Sequence, residues 1–171
     1  MVRMNSALNQ WLGDAHVMEI EVASLLETQS RRIQDHPDLK TRFELHLRET
    51  QAQRQKLEPY LERQPRLVAQ STAKPDSDDA DEPMDRDELL KFAMNFYVSK
   101  YREIAAYRVL LTAAEAVEDS EIAEVCEEML WIEDAMAAWL RVKLPELVRD
   151  CLTEHDSPVA RRHEGPRHPH H

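Results

Sequence analysis

The stretch FELHLRETQAQ, residues 43–53, decides the fold. Phe43, His46, Thr50 and Gln53 recur at spacings of three and four, so they share one face of a helix. Leu39 and Leu57 extend that face in both directions. A bundle-facing seam of this length is expected to be apolar throughout. Here its middle is polar, with Glu49 three residues from His46 and on the same side.

Working outward, the same pattern appears three more times. Helix one is expected from about Ser6 to Ile33, with Leu8, Leu12, Ala15, Glu19, Val22 and Leu26 on its stripe. The turn DHPD (35–38) follows, with Pro37 suited to a first helical position. Helix two runs from about Asp38 to Arg63. Asp85 and Glu88 form a capping-box-like pair opening helix three, which reaches about Val117. Its stripe is Leu89, Ala93, Phe96, Lys100, Glu103, Tyr107, Leu110 and Ala114. The turn EDSE (118–121), with Asp119 or Ser120 as cap, leads into helix four, which Pro145 is expected to end or kink, with ELVRDCL (146–152) adding a further turn or two. Its stripe is Ile122, Cys126, Met129, Glu133, Met136 and Leu140.

Composition agrees with an all-α chain. Among 171 residues there are two glycines, and 42% of residues are hydrophobic against 32% charged. Two helical hairpins are joined by a polar link at about 64–84, whose part KPDSDDADEP has no apolar periodicity. About 20 extended residues span roughly 60 Å, against roughly 38 Å for a 25-residue helix, so helices two and three can run parallel. A four-helix bundle with a crossover connection is therefore expected over residues 1–150. The tail 151–171, with His155, His163, His168, His170 and His171, is expected to be disordered and resembles a weak metal-catching tract.

A formal charge of −11 argues against nucleic acid and against an anionic membrane surface. No apolar run approaches a membrane span, and the N-terminus lacks a signal-peptide core. The two cysteines, Cys126 and Cys151, define no disulfide framework. A cytoplasmic setting is expected.

All four stripes turn polar near their centres, at depths that match across the hairpin turns to about one helical turn. Glu19, Glu49, Glu103 and Glu133 would bring four negative charges into a low-dielectric core, where unpaired carboxylates must protonate or find counter-charge. One solution is a metal ion: carboxylates with imidazole suit iron or manganese, which places Glu19, His46, Glu49, Glu103 and Glu133 as candidate ligands. The other is Lys100, one turn from Glu103, whose ammonium supplies positive charge without metal and repels a divalent cation.

The strings HPDLKTRFELHLRETQAQRQKLE and EIAAYRVLLTAAE, with DAHVME and CEEMLWIEDAMAAWL, resemble the YciF-type ferritin-like proteins of bacteria over about residues 8–142. The resemblance implies a ferritin-like four-helix bundle, a homodimer, a metal site and a stress-associated role. It assigns no catalytic residue. The family pattern in helix three reads Glu-His-x-Glu-Ile, where this chain has Lys100-Tyr101-Arg102-Glu103-Ile104; in helix four Trp131 and Ile132 stand where acids are expected. Lys100 and Ile132 thus count against a fully occupied two-metal centre. Two functional expectations follow. One is a degenerate site holding a single iron or manganese ion for Fe(II) oxidation or for consumption of oxygen or peroxide. The other is a metal-free helical dimerisation module with a Lys–carboxylate core network.

Overall fold

The computed structural model describes residues 2–61 and 82–155. They form four helices: α1 (Val2–Arg32), α2 (Pro37–Leu61), α3 (Arg86–Ala116) and α4 (Ser120–His155). The chain is all-α, in two helical hairpins. α3 packs mainly on α4 and α1 on α2, with lighter contacts of α1 with α3 and α2 with α4.

Local chemistry sets the boundaries. Pro37 opens α2, where its missing N–H costs nothing. Asp85 caps α3 by accepting the Glu88 N–H at 2.7 Å, and Asp87 and Glu88 lie in the first turn, favourable to the helix dipole. At the α3–α4 turn the Val117 N–H reaches back to the carbonyls of Ala113 and Ala114. Glu118 then takes a left-handed φ of 59°, a conformation costing a non-glycine residue about 1 kcal/mol. Asp119 is the cap of α4, accepting the Ile122 N–H at 3.1 Å.

The start of α3 is pinned to the end of α1. The Met84 N–H donates to the Arg32 carbonyl at 2.9 Å. The Arg32 guanidinium bonds the Glu82 carbonyl at 2.8 Å and pairs with Glu88 at 2.7 Å. α2 and α3 therefore begin at the same end of the bundle and run parallel, as a crossover topology requires. Residues 62–81, with most of the expected link, lie outside the described residues.

Two boundaries differ from expectation: α1 begins at Val2 rather than about Ser6, and α4 ends later than Pro145 suggests. α4 passes through Pro145 and continues to His155. An interior proline costs a helix about 3 kcal/mol, but the apolar face of α4 carries on beyond it, with Leu147 and Cys151 buried and Leu144 packed on the core. The first residues of the expected tail, 151–155, are therefore helical; His163, His168, His170 and His171 lie outside the described residues.

All stripe residues named above are buried. Their apolar members form two clusters. One surrounds Phe43, Phe96 and Leu140, with Phe43 and Phe96 edge to face at 5.3 Å. The other surrounds Leu12, Leu57 and Met129. Between them lies a polar layer of Glu19, His46, Thr50, Gln53, Lys100, Glu103 and Glu133, all buried. Among the described residues, no helix is long and apolar enough to cross a membrane.

Candidate functional site

Lys100 is the hub of the polar layer. Its Nζ donates to Glu103 Oε2 at 2.6 Å and to Glu133 Oε2 at 2.8 Å, and lies 2.9 Å from His46 Nε2. It also sits 4.6 Å from the centre of the Phe96 ring, a cation–π contact from the apolar side. Three helices thus meet at one ammonium: α2 through His46, α3 through Lys100 and Glu103, α4 through Glu133. The depth match read from the turns holds at this point.

The remaining predicted residues are placed around the hub. Gln53 donates to Glu133 Oε1 at 3.1 Å, so both oxygens of Glu133 are bonded. Glu19 receives the Tyr107 hydroxyl on Oε1, and its Oε2 has no hydrogen-bond partner. Glu103 Oε1 also lacks one. Glu49 is half-buried rather than in the core. Its Oε2 lies 2.9 Å from His46 Nδ1 and accepts from Arg42 at 3.2 Å. The sequence reading did not assign Gln53, Tyr107 or Arg42 to the site. Gln53 and Tyr107 were on the stripes, one turn beyond the polar centre, and that position was the available signal.

Electrostatics divide the four carboxylates. Burial works to raise Glu133, but the Lys100 charge and the His46 contact outweigh it and hold the carboxyl well below its ordinary range. Burial pushes Glu103 up to about 8, against the pull of Lys100, with Glu133 adding repulsion. Burial, helped by Glu133, pushes Glu19 up to about 7. Glu49 is lowered: its partial burial is overcome by His46 and Arg42. Lys100 is raised, because Glu133 and Glu103 more than offset its burial. Tyr107 is raised well above its usual value by burial and then by Glu19. With Glu19 and Glu103 protonated, the core holds one compensated pair, Lys100 and Glu133.

His46, Glu103 and Glu133 are also the group of possible metal ligands found among the described residues, with donor atoms within 4.8 Å of one another. Glu19 and Glu49 fall outside it. As arranged, these three do not fit an ion. A metal needs its donors at about 2.0–2.6 Å, and the Lys100 Nζ already contacts all three residues at 2.6–2.9 Å. The ammonium and a divalent cation cannot share that space, and their charges repel. Beyond Glu133, the expected acidic positions of α4 add no ligand: Trp131 is 74% exposed, and Ile132 offers no ligand atom.

The chain is similar to two crystal structures. One is a protein from Xanthomonas campestris pv. campestris str. ATCC 33913, at 29% identity and TM-score 0.77, covering 90% of this chain and 99% of that one. The other is the Escherichia coli stress protein YciF, at 19% identity and TM-score 0.65, covering 87% of this chain and 99% of that one. The latter likeness shows a shared fold. A family described as "Domain of unknown function (DUF892)" matches residues 3–153, and the chain belongs to this YciF-type family.

Proposed function

We propose that the protein is a cytoplasmic, metal-independent member of its family: a helical module that pairs as a homodimer, with the Lys100 ammonium as its core cation. The observation that carries this reading is the position of that ammonium, at 2.6–2.9 Å from the three residues able to hold an ion. The positive charge that the carboxylates need is built into the chain, so folding does not depend on metal supply. The test is metal analysis of full-length protein purified without an affinity tag and then incubated with iron or manganese. Less than about 0.1 ion per chain is expected. Lys100→Glu removes the ammonium and adds a carboxylate, so it is expected to bind a divalent ion and to be stabilised by it. Stoichiometric iron or manganese in the wild type would sink the reading.

One observation favours a second reading. Glu19 Oε2 and Glu103 Oε1 are buried acceptors without partners, the kind of groups a bound cation satisfies. Under it, Lys100 withdraws and Glu103, Glu133 and His46 hold one iron or manganese ion in a stress-related role. His46→Ala separates the two: the second reading expects bound metal and thermal stability to fall together, the first a stability change alone.

A further inference from the structure

α3 is apolar on two opposite sides. Its inner side faces the core. Its outer side carries Met94, Val98, Tyr101 and Val109, each at least half exposed, with Val98 at 64%. The small residues Ala105, Thr112 and Ala116 continue the row. Spacings of four and three keep all of these on one helical face. A helix apolar on both sides, where no helix among the described residues is long and apolar enough to cross a membrane, calls for a further protein surface to cover it. Beside the row, the groove between α1 and α3 holds hollows of about 580 and 350 Å³, each lined by Trp11 and Val109.

Resting on the dimeric reading above, we infer that this α1–α3 face is where two copies of the chain meet, with α3 packed antiparallel on its twin about a two-fold axis near Ala105. The occupant follows from the row itself. Counted outward from Ala105, Met94 stands opposite Ala116, Val98 opposite Thr112, and Tyr101 opposite Val109. The bulkier side chains of one half meet the smaller ones of the other, which is the self-complementarity an isologous contact requires. The charges agree: the same hollows are lined by Asp14 on α1 and by Arg102 and Arg108 on α3, so each copy presents both signs. The size agrees too. A row of about 33 Å across two helix widths of about 20 Å gives a footprint of roughly 660 Å² per copy, near the roughly 800 Å² per partner of a stable interface.

The test is sedimentation of the full chain over a micromolar concentration range. The wild type is expected to dimerise. Val98→Glu and Val109→Glu are each expected to raise the dissociation constant at least about 100-fold, since each buries an unpaired carboxylate in the apolar contact. Trp131→Glu, on exposed α4, is expected to change it little. Circular dichroism of each variant should match the wild type, which separates loss of the contact from loss of the fold. A short bis-maleimide should link Ala105→Cys chains to each other well above the wild-type background, in which Cys126 and Cys151 are buried. A dimer that survives both glutamates, or that Trp131→Glu dissolves, overturns this face while leaving the Lys100 core untouched. A wild type that stays monomeric, or that meets only an unrelated helix there, overturns it as well. Loss of the dimer by Val98→Glu without the Ala105→Cys cross-link overturns the register.

Discussion

Glu19 and Glu133 occupy the same buried layer, neither with measurable exposure, yet they end in opposite states. Glu133 has Lys100 on one oxygen, Gln53 on the other and His46 Nε2 at 3.6 Å. Its carboxyl is held well below the ordinary range. Glu19 has one neutral donor, Tyr107, and is pushed up to about 7. Burial is equal, so partners decide the charge. Glu133, with a cation on one oxygen and an amide on the other, is ionised, whereas Glu19, with a hydroxyl alone, is pushed toward neutrality. Glu103 shares the ammonium but leaves Oε1 bare and feels the Glu133 charge, and it too is pushed up.

The most direct way to break this contrast is Lys100→Met. It leaves Glu133 buried without its cation, so that the carboxylate must take up a proton or stay uncompensated, and removing one partner of a buried pair costs about 3–5 kcal/mol. Urea unfolding at neutral pH reads the loss, which should shrink in acid as the carboxyls take up protons. A loss below about 1 kcal/mol would mean that the ammonium is not what distinguishes Glu133 from Glu19.

The next effect is on pH dependence. Glu19 and Glu103, at about 7 and about 8, bind protons more tightly folded than unfolded. Their stabilisation is full below their unfolded value near 4.5 and is lost as pH rises through 7 and 8. Glu133 has the opposite sign: its contribution is present above that unfolded value and is lost as pH falls toward its depressed one. Stability should therefore decline from about pH 5 to about pH 9, by several kcal/mol. Glu19→Gln cannot lose a proton and should flatten that decline. Parallel curves for variant and wild type would show that Glu19 is ionised throughout, erasing its difference from Glu133.

Much of this layer was legible before any coordinates. Helical spacing places each stripe, and counting residues from the turns places Glu103 level with Glu133. Lys100 one turn from Glu103 already suggests an ion pair. Spacing does not fix how far each helix is rotated about its axis, and that rotation chooses partners across the bundle. Tyr107 meeting Glu19, and Gln53 meeting Glu133, depend on it. Glu49 shares a helix side with His46, but its angular offset leaves it 27% exposed beside Arg42. Pro145 points to an end or a kink with a further turn or two beyond it, and α4 runs through it to His155. The local rule for proline was right in sign, and the packing of Leu147 and Cys151 outweighed it.

A smaller change sharpens the Glu19 side of the comparison. Tyr107→Phe removes the single donor that Glu19 has and leaves the ring in place. The expected cost is about 1–2 kcal/mol, the usual range for a buried hydrogen bond to a carboxyl. It should be greatest above pH 7, where Glu19 ionises, and should extend the decline to higher pH, because loss of the donor raises the folded value of Glu19 and leaves the unfolded one near 4.5. An equal cost at pH 5 and pH 9 would assign the loss to packing.

The smallest effect concerns Glu49, and there stability is the less informative readout. Its side chain is part-exposed and paired with Arg42, so Glu49→Gln should cost under about 1 kcal/mol. What Glu49 sets is the proton on His46. An Nδ1–H directed at Glu49 leaves Nε2 bare, able to accept from the Lys100 ammonium 2.9 Å away. Nitrogen NMR of the ring should report the Nδ1–H tautomer in the wild type. Glu49→Gln still offers a carbonyl oxygen and should keep it; Glu49→Leu should allow the other. If the wild type instead carries its proton on Nε2, His46 cannot accept from Lys100. The ammonium would then be held by Glu103 and Glu133 alone, and the Nε2–H would face Glu133 as a further positively polarised partner, adding to its contrast with Glu19.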